Sequence, residues 1–148
     1  MSNLIKLGAV IALSASVSFG ATQAEIDDVK AHVNAGVEFC KKVGVAACTE
    51  EFNKKNSKWV VGTKYIFAND FKGVITAHPK KPLKGKNLFR YKDKAGNQLF
   101  ADFIKKVKNE GEGWVDYVWA HPKTNKQADK TTFVKGIGEK STNWLWYL

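Results

Sequence analysis

The sequence predicts an α+β domain in which a long N-terminal helix packs on a central antiparallel sheet of about five strands. Apolar residues recur at steps of three and four over residues 25–43, a spacing that forms one face of a helix. Beyond residue 59 the period changes, and short aromatic or β-branched stretches alternate with polar turns. Short turns between consecutive strands favour antiparallel pairing, so these stretches are expected to form one sheet.

Residues 1–20 are interpreted as a secretory signal peptide. A lysine precedes an apolar run over residues 7–19, which is too short for a comfortable membrane span, and small residues follow it. Cleavage is expected after Gly20, with cleavage after Ala24 as the alternative. The remaining residues, 21–148, are expected to form a single exported domain.

The first helix is expected to begin at a capping box. Thr22 and Glu25 have the spacing at which each side chain bonds to the backbone N–H of the other, which is the reason for preferring the cut at Gly20. Gly44 is expected to end this helix, and a second, short helix follows it. The apolar stripe of the first helix consists of Ile26, Val29, Val33, Val37 and Cys40, and that of the second consists of Val45, Cys48 and Phe52.

Cys40 and Cys48 are the only cysteines of the chain. Export permits a disulfide between them, and a hairpin-like turn at Gly44 would bring them together. The alternative is a pair of buried thiols. Their spacing is neither C-x-x-C nor C-x-x-C-H, so neither a thioredoxin-type site nor covalent haem is expected.

A β-hairpin is expected after the helices. Residues 65–68 form its first strand, residues 69–73 its turn and residues 74–77 its second strand, with Gly73 available for a positive φ. The loop that follows, residues 78–87, is rich in lysine and proline, which argues against regular structure there.

A third helix and three strands complete the predicted order. Asn97 is expected to cap the helix over residues 97–109, whose apolar positions are Phe100, Phe103, Ile104 and Val107. Strands are expected within residues 111–122, 130–135 and 143–147. The third helix and the lysine-rich loop are expected to cover the sheet face opposite the first helix, which makes that face the natural place for a pocket.

The strand within residues 111–122 carries the aromatic residues that could line such a pocket. Alternation along a strand places Val115, Tyr117 and Trp119 on one face and the intervening side chains on the other. A hydroxyl and an indole N–H on one face suit the wall of a small polar pocket. The alternative is that Tyr117 and Trp119 are simply large core residues.

The chain is basic, with a formal net charge of +10. A basic exported protein attracts anions such as small carboxylates, acidic glycans or anionic lipid surfaces. Nucleic acid is not an expected partner, because the basic loop has no stacking platform of alternating aromatic residues. The loop is interpreted either as solvated surface or as an attractor of anionic ligands or acidic partners. Its cations are Lys80, Lys81, Lys84, Lys86, Arg90 and Lys92.

No catalytic motif stands out, so an enzyme is not expected and no cofactor is predicted. The chain has no G-x-S-x-G, no H-E-x-x-H and no phosphate-cradling glycine loop. His78 and His121 both stand in an Ala-His-Pro element, but two ligands without a third do not predict a metal site. His32 lies beside the apolar stripe of the first helix and is interpreted as structural.

Five segments, taken in order, resemble the core of the single Cache domains, of the type called sCache_2. No single motif is specific, but their order covers nearly all of residues 21–148, with Pro122 and Lys130 following at suitable distances. The chain lacks the membrane helix and signalling domain that usually follow, which implies a stand-alone secreted form. The segments are YIFAND (65–70), GVITAHP (73–79), LKGKNL (83–88), DKAG (93–96) and GEGWVDYVW (111–119).

The resemblance implies a PAS-like fold and a sensor function outside the cytoplasm, in a bacterial protein that is periplasmic or secreted. Cache domains belong to bacterial chemoreceptors and sensor kinases, and many bind small organic acids such as acetate, propionate, lactate or pyruvate. In this family the aromatic strand and the lysine after it commonly line the pocket, which implies Tyr117, Trp119 and Lys130 here. Tyr65 in the first strand and His78 in the Ala-His-Pro element occupy the other implied positions.

The chemistry of these residue types agrees with a carboxylate ligand. Lys130 supplies a positive charge, and the hydroxyls of Tyr65 and Tyr117 are hydrogen-bond donors. Lys130 could instead be a solvated turn lysine. His78 either donates to the anion when protonated or caps the end of a strand.

The sequence therefore predicts a domain that reversibly binds a small organic carboxylate and presents it to a separate partner. That partner is expected to be a membrane receptor, a sensor kinase or a transporter, and the mature chain is expected to have no membrane span. The alternative function is that of a basic envelope protein which binds an anionic surface or an acidic protein.

Overall fold

A computed structural model describes residues 21–137 and the backbone of residues 143–147. The predicted signal peptide, residues 1–20, lies outside the described residues. The predicted α+β class is confirmed. Two helices precede the strands in the chain, and a third helix lies between the third and fourth strands. The elements of the described chain are α1 (Gln23–Val43), α2 (Val45–Asn53), β1 (Val60–Val61), β2 (Lys64–Asp70), β3 (Ile75–Ala77), α3 (Leu99–Glu110), β4 (Glu112–Ala120), β5 (Gln127–Gly136) and β6 (Asn143–Tyr147).

The first two helices form a hairpin that a disulfide closes. α1 begins at the predicted capping box, in which the side chains of Thr22 and Glu25 each accept a hydrogen bond from the backbone N–H of the other. Gly44 separates the helices at a φ of 87°, a conformation that side chains disfavour. The chain reverses there, so the Cα atoms of Cys40 and Cys48 lie 5.1 Å apart and the predicted disulfide forms.

The strands form one antiparallel sheet in the order β1-β2-β6-β5-β4, and β3 pairs with β2. The chain's last strand, β6, therefore lies between β2 and β5. The two-residue β1 makes the sheet one strand larger than the expected five. β5 begins at Gln127, three residues before the predicted start, because it pairs with β4 along the whole of that strand. This register places Tyr117 directly opposite Lys130.

The helices cover the two faces of the sheet and create two separate cores. On one face α1 packs against β5 and β6, and α2 packs against β2 and β3, as predicted for the N-terminal helix. On the other face α3 packs against β4 and β5. We name the first core the helix-hairpin core; it includes Val33, Val37, Cys40, Cys48, Phe52 and Trp59. We name the second the pocket-side core; it includes Tyr65, Phe67, Leu99, Phe100, Phe103, Tyr117 and Trp119.

Two local details differ from the sequence-based expectation. Asn97 does not cap α3, which begins at Leu99, because its backbone N–H and its Nδ2 both donate to the Asp93 carboxylate, at 2.8 and 3.0 Å. The hairpin turn is also shorter than predicted, since β2 extends through Asp70. The Asp70 carboxylate accepts backbone hydrogen bonds from within this turn and thereby stabilises the strand end.

Candidate ligand-binding site

A small cavity lies in the pocket-side core, on the face where the sequence predicts a pocket. Its volume is about 10 Å³, which is room for about one water molecule. A larger ligand must therefore displace part of the wall. We name this cavity the aromatic pocket; its lining residues are Tyr65 and Phe67 of β2, His78 after β3, Leu99 and Phe100 of α3, and Tyr117 and Trp119 of β4.

Strand β4 supplies two of the predicted site residues. Val115, Tyr117 and Trp119 pack into the pocket-side core, whereas Trp114 packs against the helix-hairpin core, so the predicted alternation is confirmed. Tyr117 and Trp119 are 5% and 8% exposed. Both residues therefore belong to the core and also line the cavity, so the core interpretation and the pocket-wall interpretation are compatible.

The hydroxyl of Tyr117 has a protein partner. It lies 2.9 Å from the Oγ1 of Thr132, a fully buried residue of β5, and either atom could donate. Burial, together with proximity to Tyr65, raises the pKa of Tyr117 well above its usual range. The phenol therefore stays protonated. Sequence alternation places Thr132 on the same face of β5 as Lys130, but it did not identify Thr132 as the partner of Tyr117.

Lys130 brings a desolvated positive charge to the edge of the pocket. Its Nζ is shielded from solvent, has no hydrogen-bond partner among the described residues, and lies 5.8 Å from the centroid of the Tyr65 ring. Burial, and to a lesser extent the charge of Lys81, lowers the pKa of Lys130 to about 8. The ammonium form still predominates at neutral pH. Lys130 is therefore not a solvated turn lysine.

His78 is a buried, neutral residue at the start of the lysine-rich loop. Its Nδ1 accepts a hydrogen bond from the backbone N–H of Lys81 at 3.0 Å, so the imidazole caps the turn that follows β3. Burial, with the charges of Lys81 and Lys130, lowers the pKa of His78 to about 3. Because Nδ1 is an acceptor in a neutral ring, the proton is assigned to Nε2. This contact resembles the capping alternative, although it caps a turn rather than a strand end, and the role of His78 as a donor to an anion stays a prediction.

Lys81 is a second cation at the pocket, which sequence reasoning placed only in the basic loop. Its Nζ lies 5.4 Å from the centroid of the Trp119 ring, a distance at which a cation is attracted to the ring face. Its charge also lowers the pKa of both His78 and Lys130. The available signal was its position three residues after His78, where a capped turn returns the chain towards the sheet.

The charges of the aromatic pocket are unbalanced. Lys81 and Lys130 stand beside it, no carboxylate is among its described lining residues, and neither lysine forms an ion pair with a described residue. Ammonium groups, an imidazole N–H and aromatic walls together complement a small anion with an apolar part.

The second Ala-His-Pro element has a different place in the structure. The Nδ1 of His121 accepts hydrogen bonds from the backbone N–H groups of Lys123 and Thr124, at 3.2 and 3.4 Å, in the turn between β4 and β5. Within the described part of the chain, no group of three or more histidine, cysteine or acidic residues could hold a metal ion. His121 therefore lies outside the aromatic pocket.

An antiparallel sheet with helices packed on both faces and a small pocket on one of them is the architecture of a PAS-like fold. The family model dCache_2, described as a Cache domain, matches residues 50–145, about two thirds of the chain. The chain belongs to the Cache domain family. The predicted single Cache domain is thereby confirmed, while the sCache_2 subtype stays a prediction. Cache domains are sensor domains that bind small ligands.

Solved structures of chemotaxis sensors share this fold. A methyl-accepting chemotaxis protein from Vibrio parahaemolyticus RIMD 2210633 is 28% identical, with a TM-score of 0.71 over 84% of this chain and 86% of that chain. A periplasmic sensor domain of a chemotaxis protein is 24% identical, with a TM-score of 0.64 over 84% and 88%. A structure described as the structural basis for carboxylic acid recognition by a Cache chemosensory domain is 22% identical, with a TM-score of 0.69 over 84% and 91%. The last two likenesses concern the fold alone.

No helix among the described residues is both long enough and apolar enough to cross a membrane.

Proposed function

We propose that this protein reversibly binds a small organic carboxylate in the aromatic pocket and does not convert it. The observation that supports this most directly is the Lys130 ammonium, which is shielded from water and has no hydrogen-bond partner among the described residues. A buried charge without a partner raises the free energy of the folded protein. A carboxylate beside Lys130 would form a charge-assisted hydrogen bond and remove that cost.

The proposed ligand class follows from the other groups of the pocket. The Nε2–H of His78 and the hydroxyl of Tyr65 are donors beside the same cavity, and the Tyr117 hydroxyl is a third if Thr132 donates to it. The rings of Trp119 and Phe100 offer an apolar wall, with centroids 6.2 Å apart. These groups suit a short acid such as acetate, propionate, lactate or pyruvate.

Binding requires the aromatic pocket to open. Its volume of about 10 Å³ admits a water molecule, and even acetate is larger. The lysine-rich loop contributes His78 to the wall, and the Nζ of its Lys81 lies over the Trp119 ring. Movement of this loop would widen the cavity and would expose Lys130 to the entering anion.

We further propose that the protein works outside the cytoplasm. After removal of residues 1–20, residues 21–148 would bind the ligand and present it to a separate receptor, sensor kinase or transporter. The 28% identity to a methyl-accepting chemotaxis protein supports a role in signalling. The positive charge of the mature chain would attract organic anions to it.

Calorimetric titration with acetate, propionate, lactate and pyruvate tests the proposal. Lys130→Met should weaken binding of the best ligand by about tenfold or more, because a hydrogen bond to a charged group contributes about 1.5–3 kcal/mol. Lys42→Met is the matched control, since Lys42 is an exposed lysine of α1, on the opposite face of the sheet. Equal loss in both variants, or no loss in either, would contradict the proposal.

Salt dependence separates this proposal from the function of a basic envelope protein. Attraction between exposed charges fades as salt shortens the screening length to about 3 Å at 1 M, whereas a buried pair is screened much less. Retained binding of a short carboxylate in high salt supports the pocket. Binding of polyanions alone, lost on addition of salt, would replace the proposal with the envelope alternative.

A further inference from the structure

A second feature of the pocket side is a pair of exposed aromatic rings between basic residues. Phe89 and Tyr91 are 40% and 41% exposed, two residues apart in the segment between β3 and α3. They border an open concavity of about 520 Å³. Such exposed rings mark an interaction surface when they stand together rather than singly. We name this surface the basic aromatic patch; it consists of Lys72, Asn87, Leu88, Phe89, Arg90 and Tyr91.

The backbone of the basic aromatic patch is held in place although it is neither helix nor strand. The Leu88 N–H donates to the Gly73 carbonyl at 2.9 Å, and the Asn87 side chain donates to the Lys72 carbonyl at 3.0 Å. Gly73 has a φ of 83°, and a Cβ there would lie 2.7 Å from the Cβ of Phe89. The close approach requires glycine. A surface fixed in this way loses little conformational entropy when a partner binds.

The charge of the basic aromatic patch selects its partner. Lys72 and Arg90 belong to it, and no carboxylate is among its described lining residues. The neighbouring acids, Asp70 and Asp93, both accept hydrogen bonds from backbone N–H groups. Phenylalanine, tyrosine and arginine are enriched at protein–protein interfaces. Positive charge and apolar rings together complement an acidic protein segment that also carries apolar side chains.

We propose that the basic aromatic patch is the docking surface for an acidic, partly apolar segment of a partner protein. The patch is continuous with the aromatic pocket, because the Tyr91 ring lies 5.5 Å from the Trp119 ring and 6.4 Å from the Phe100 ring. A docked segment would therefore contact a residue that packs on the pocket wall. Any response of docking to a carboxylate rests on the proposed function, whereas docking itself does not.

The probe for this proposal is a synthetic fluorescent peptide of alternating glutamate and leucine, titrated with the purified protein and followed by anisotropy. The Phe89→Ser/Arg90→Gln double variant should bind this peptide at least tenfold more weakly. Val43→Ser/Lys42→Gln is the matched control, because Val43 is also 40% exposed and lies with Lys42 at the end of α1. Its affinity should equal that of the unmodified protein.

Further arms keep the interpretation specific. Arg90→Gln alone should weaken binding with an unchanged melting temperature, which separates docking from loss of folding. Lys130→Met should leave peptide affinity unchanged, because the glutamates of the peptide do not enter the aromatic pocket. This result is expected whether or not a small carboxylate binds in that pocket. The proposal is overturned if the peptide does not bind, or if a peptide with glutamine in place of glutamate binds equally well. It is also overturned if both double variants lose the same affinity, or if heparin binds the patch and the peptide does not.

Discussion

The cores on the two faces of the sheet differ in the polar groups that they contain. The helix-hairpin core is built from aliphatic and aromatic side chains around a disulfide, and it holds α1 and α2 against the sheet. The pocket-side core is as well buried, but Tyr65, His78 and Tyr117 stand within it and the Lys130 ammonium lies beside it. One face therefore encloses a largely apolar core braced by a disulfide, whereas the other holds a shielded ammonium without a described hydrogen-bond partner, for which we propose a carboxylate ligand.

The largest expected effect is on the helix-hairpin core. Phe52→Ala removes a fully buried ring that contacts Trp59 at a centroid distance of 5.2 Å. Such a truncation lowers the free energy of unfolding by about 3–5 kcal/mol. Urea denaturation measures this loss, and the surviving folded protein should bind carboxylate normally. Reduced carboxylate affinity of the folded variant would contradict the separation of the two faces.

The disulfide should have the next largest effect on stability. Replacing both Cys40 and Cys48 with serine should lower the free energy of unfolding by about 2 kcal/mol, because the closed loop is short. The comparison of thermal unfolding with and without reductant checks the same bond in the unmodified protein. An identical melting temperature in both conditions would contradict the disulfide.

The pocket side should dominate the dependence of stability on pH. The pKa of His78 is lowered from 6.5 to about 3 and that of Lys130 from 10.5 to about 8. Between each pair of values the unfolded chain binds more protons than the folded one, so stability rises with pH by up to about 1.4 kcal/mol per unit. The folded protein therefore loses stability as the pH falls from 6.5 towards 3, and it gains stability as the pH rises from 8 towards 10.5.

Two variants test which residue causes each pH dependence. His78→Gln should reduce the slope of the unfolding free energy between pH 3 and 6.5, and Lys130→Met should reduce it between pH 8 and 10.5. Urea denaturation across this pH range measures both slopes. Carboxylate affinity should decline above pH 8 as the free Lys130 loses its proton. Unchanged slopes in the two variants would show that other groups cause the dependence.

A smaller effect is expected from the buried hydroxyl pair. Tyr117→Phe removes the partner of Thr132 and should lower the free energy of unfolding by about 1 kcal/mol. Thr132→Val in the same background should then cost little more, because the hydrogen bond is already absent. Additive losses from the two substitutions would argue against the bond.

The smallest expected effect on the free energy of unfolding is an increase, and it distinguishes the two faces of the sheet most clearly. Lys130→Met should slightly raise the free energy of unfolding, since it removes a shielded charge that has no described hydrogen-bond partner. The same variant should lose carboxylate affinity, so stability and binding move in opposite directions. Lys42→Met should change neither quantity. A large loss of stability in Lys130→Met would assign the lysine a structural role instead.

The elements of this fold were predictable because their signals are local. The apolar period of α1, its capping box at Thr22 and Glu25, and the alternation along β4 each depend on residues within one or two turns or along one strand. The start of β5 was misplaced because Gln127 and Asp129 are polar and resemble a turn, whereas their strand conformation comes from pairing with β4. Asn97 was misassigned for a local reason, because its backbone N–H and its Nδ2 donate to the carboxylate of Asp93, four residues earlier.

The candidate site was predictable in part. The structure brings Tyr65, His78, Tyr117 and Trp119 together around one cavity and places Lys130 beside it, whereas their role in binding stays a proposal. The roles of Lys81 and Thr132 were missed, because a position in a basic loop or on one face of a strand does not show which side chain a residue contacts. Each gained its place through a contact across the fold, with the Trp119 ring and with the Tyr117 hydroxyl.

By itself the sequence determined the class of fold, the type and order of most elements, and the faces on which the β4 side chains lie, since periodicity and capping act over a few residues. Only the tertiary structure decided that β6 lies between β2 and β5, that the aromatic pocket is nearly closed, and that Lys130 is desolvated. Strand order, cavity volume and burial arise from contacts between residues that are distant in sequence, and so no local pattern specifies them.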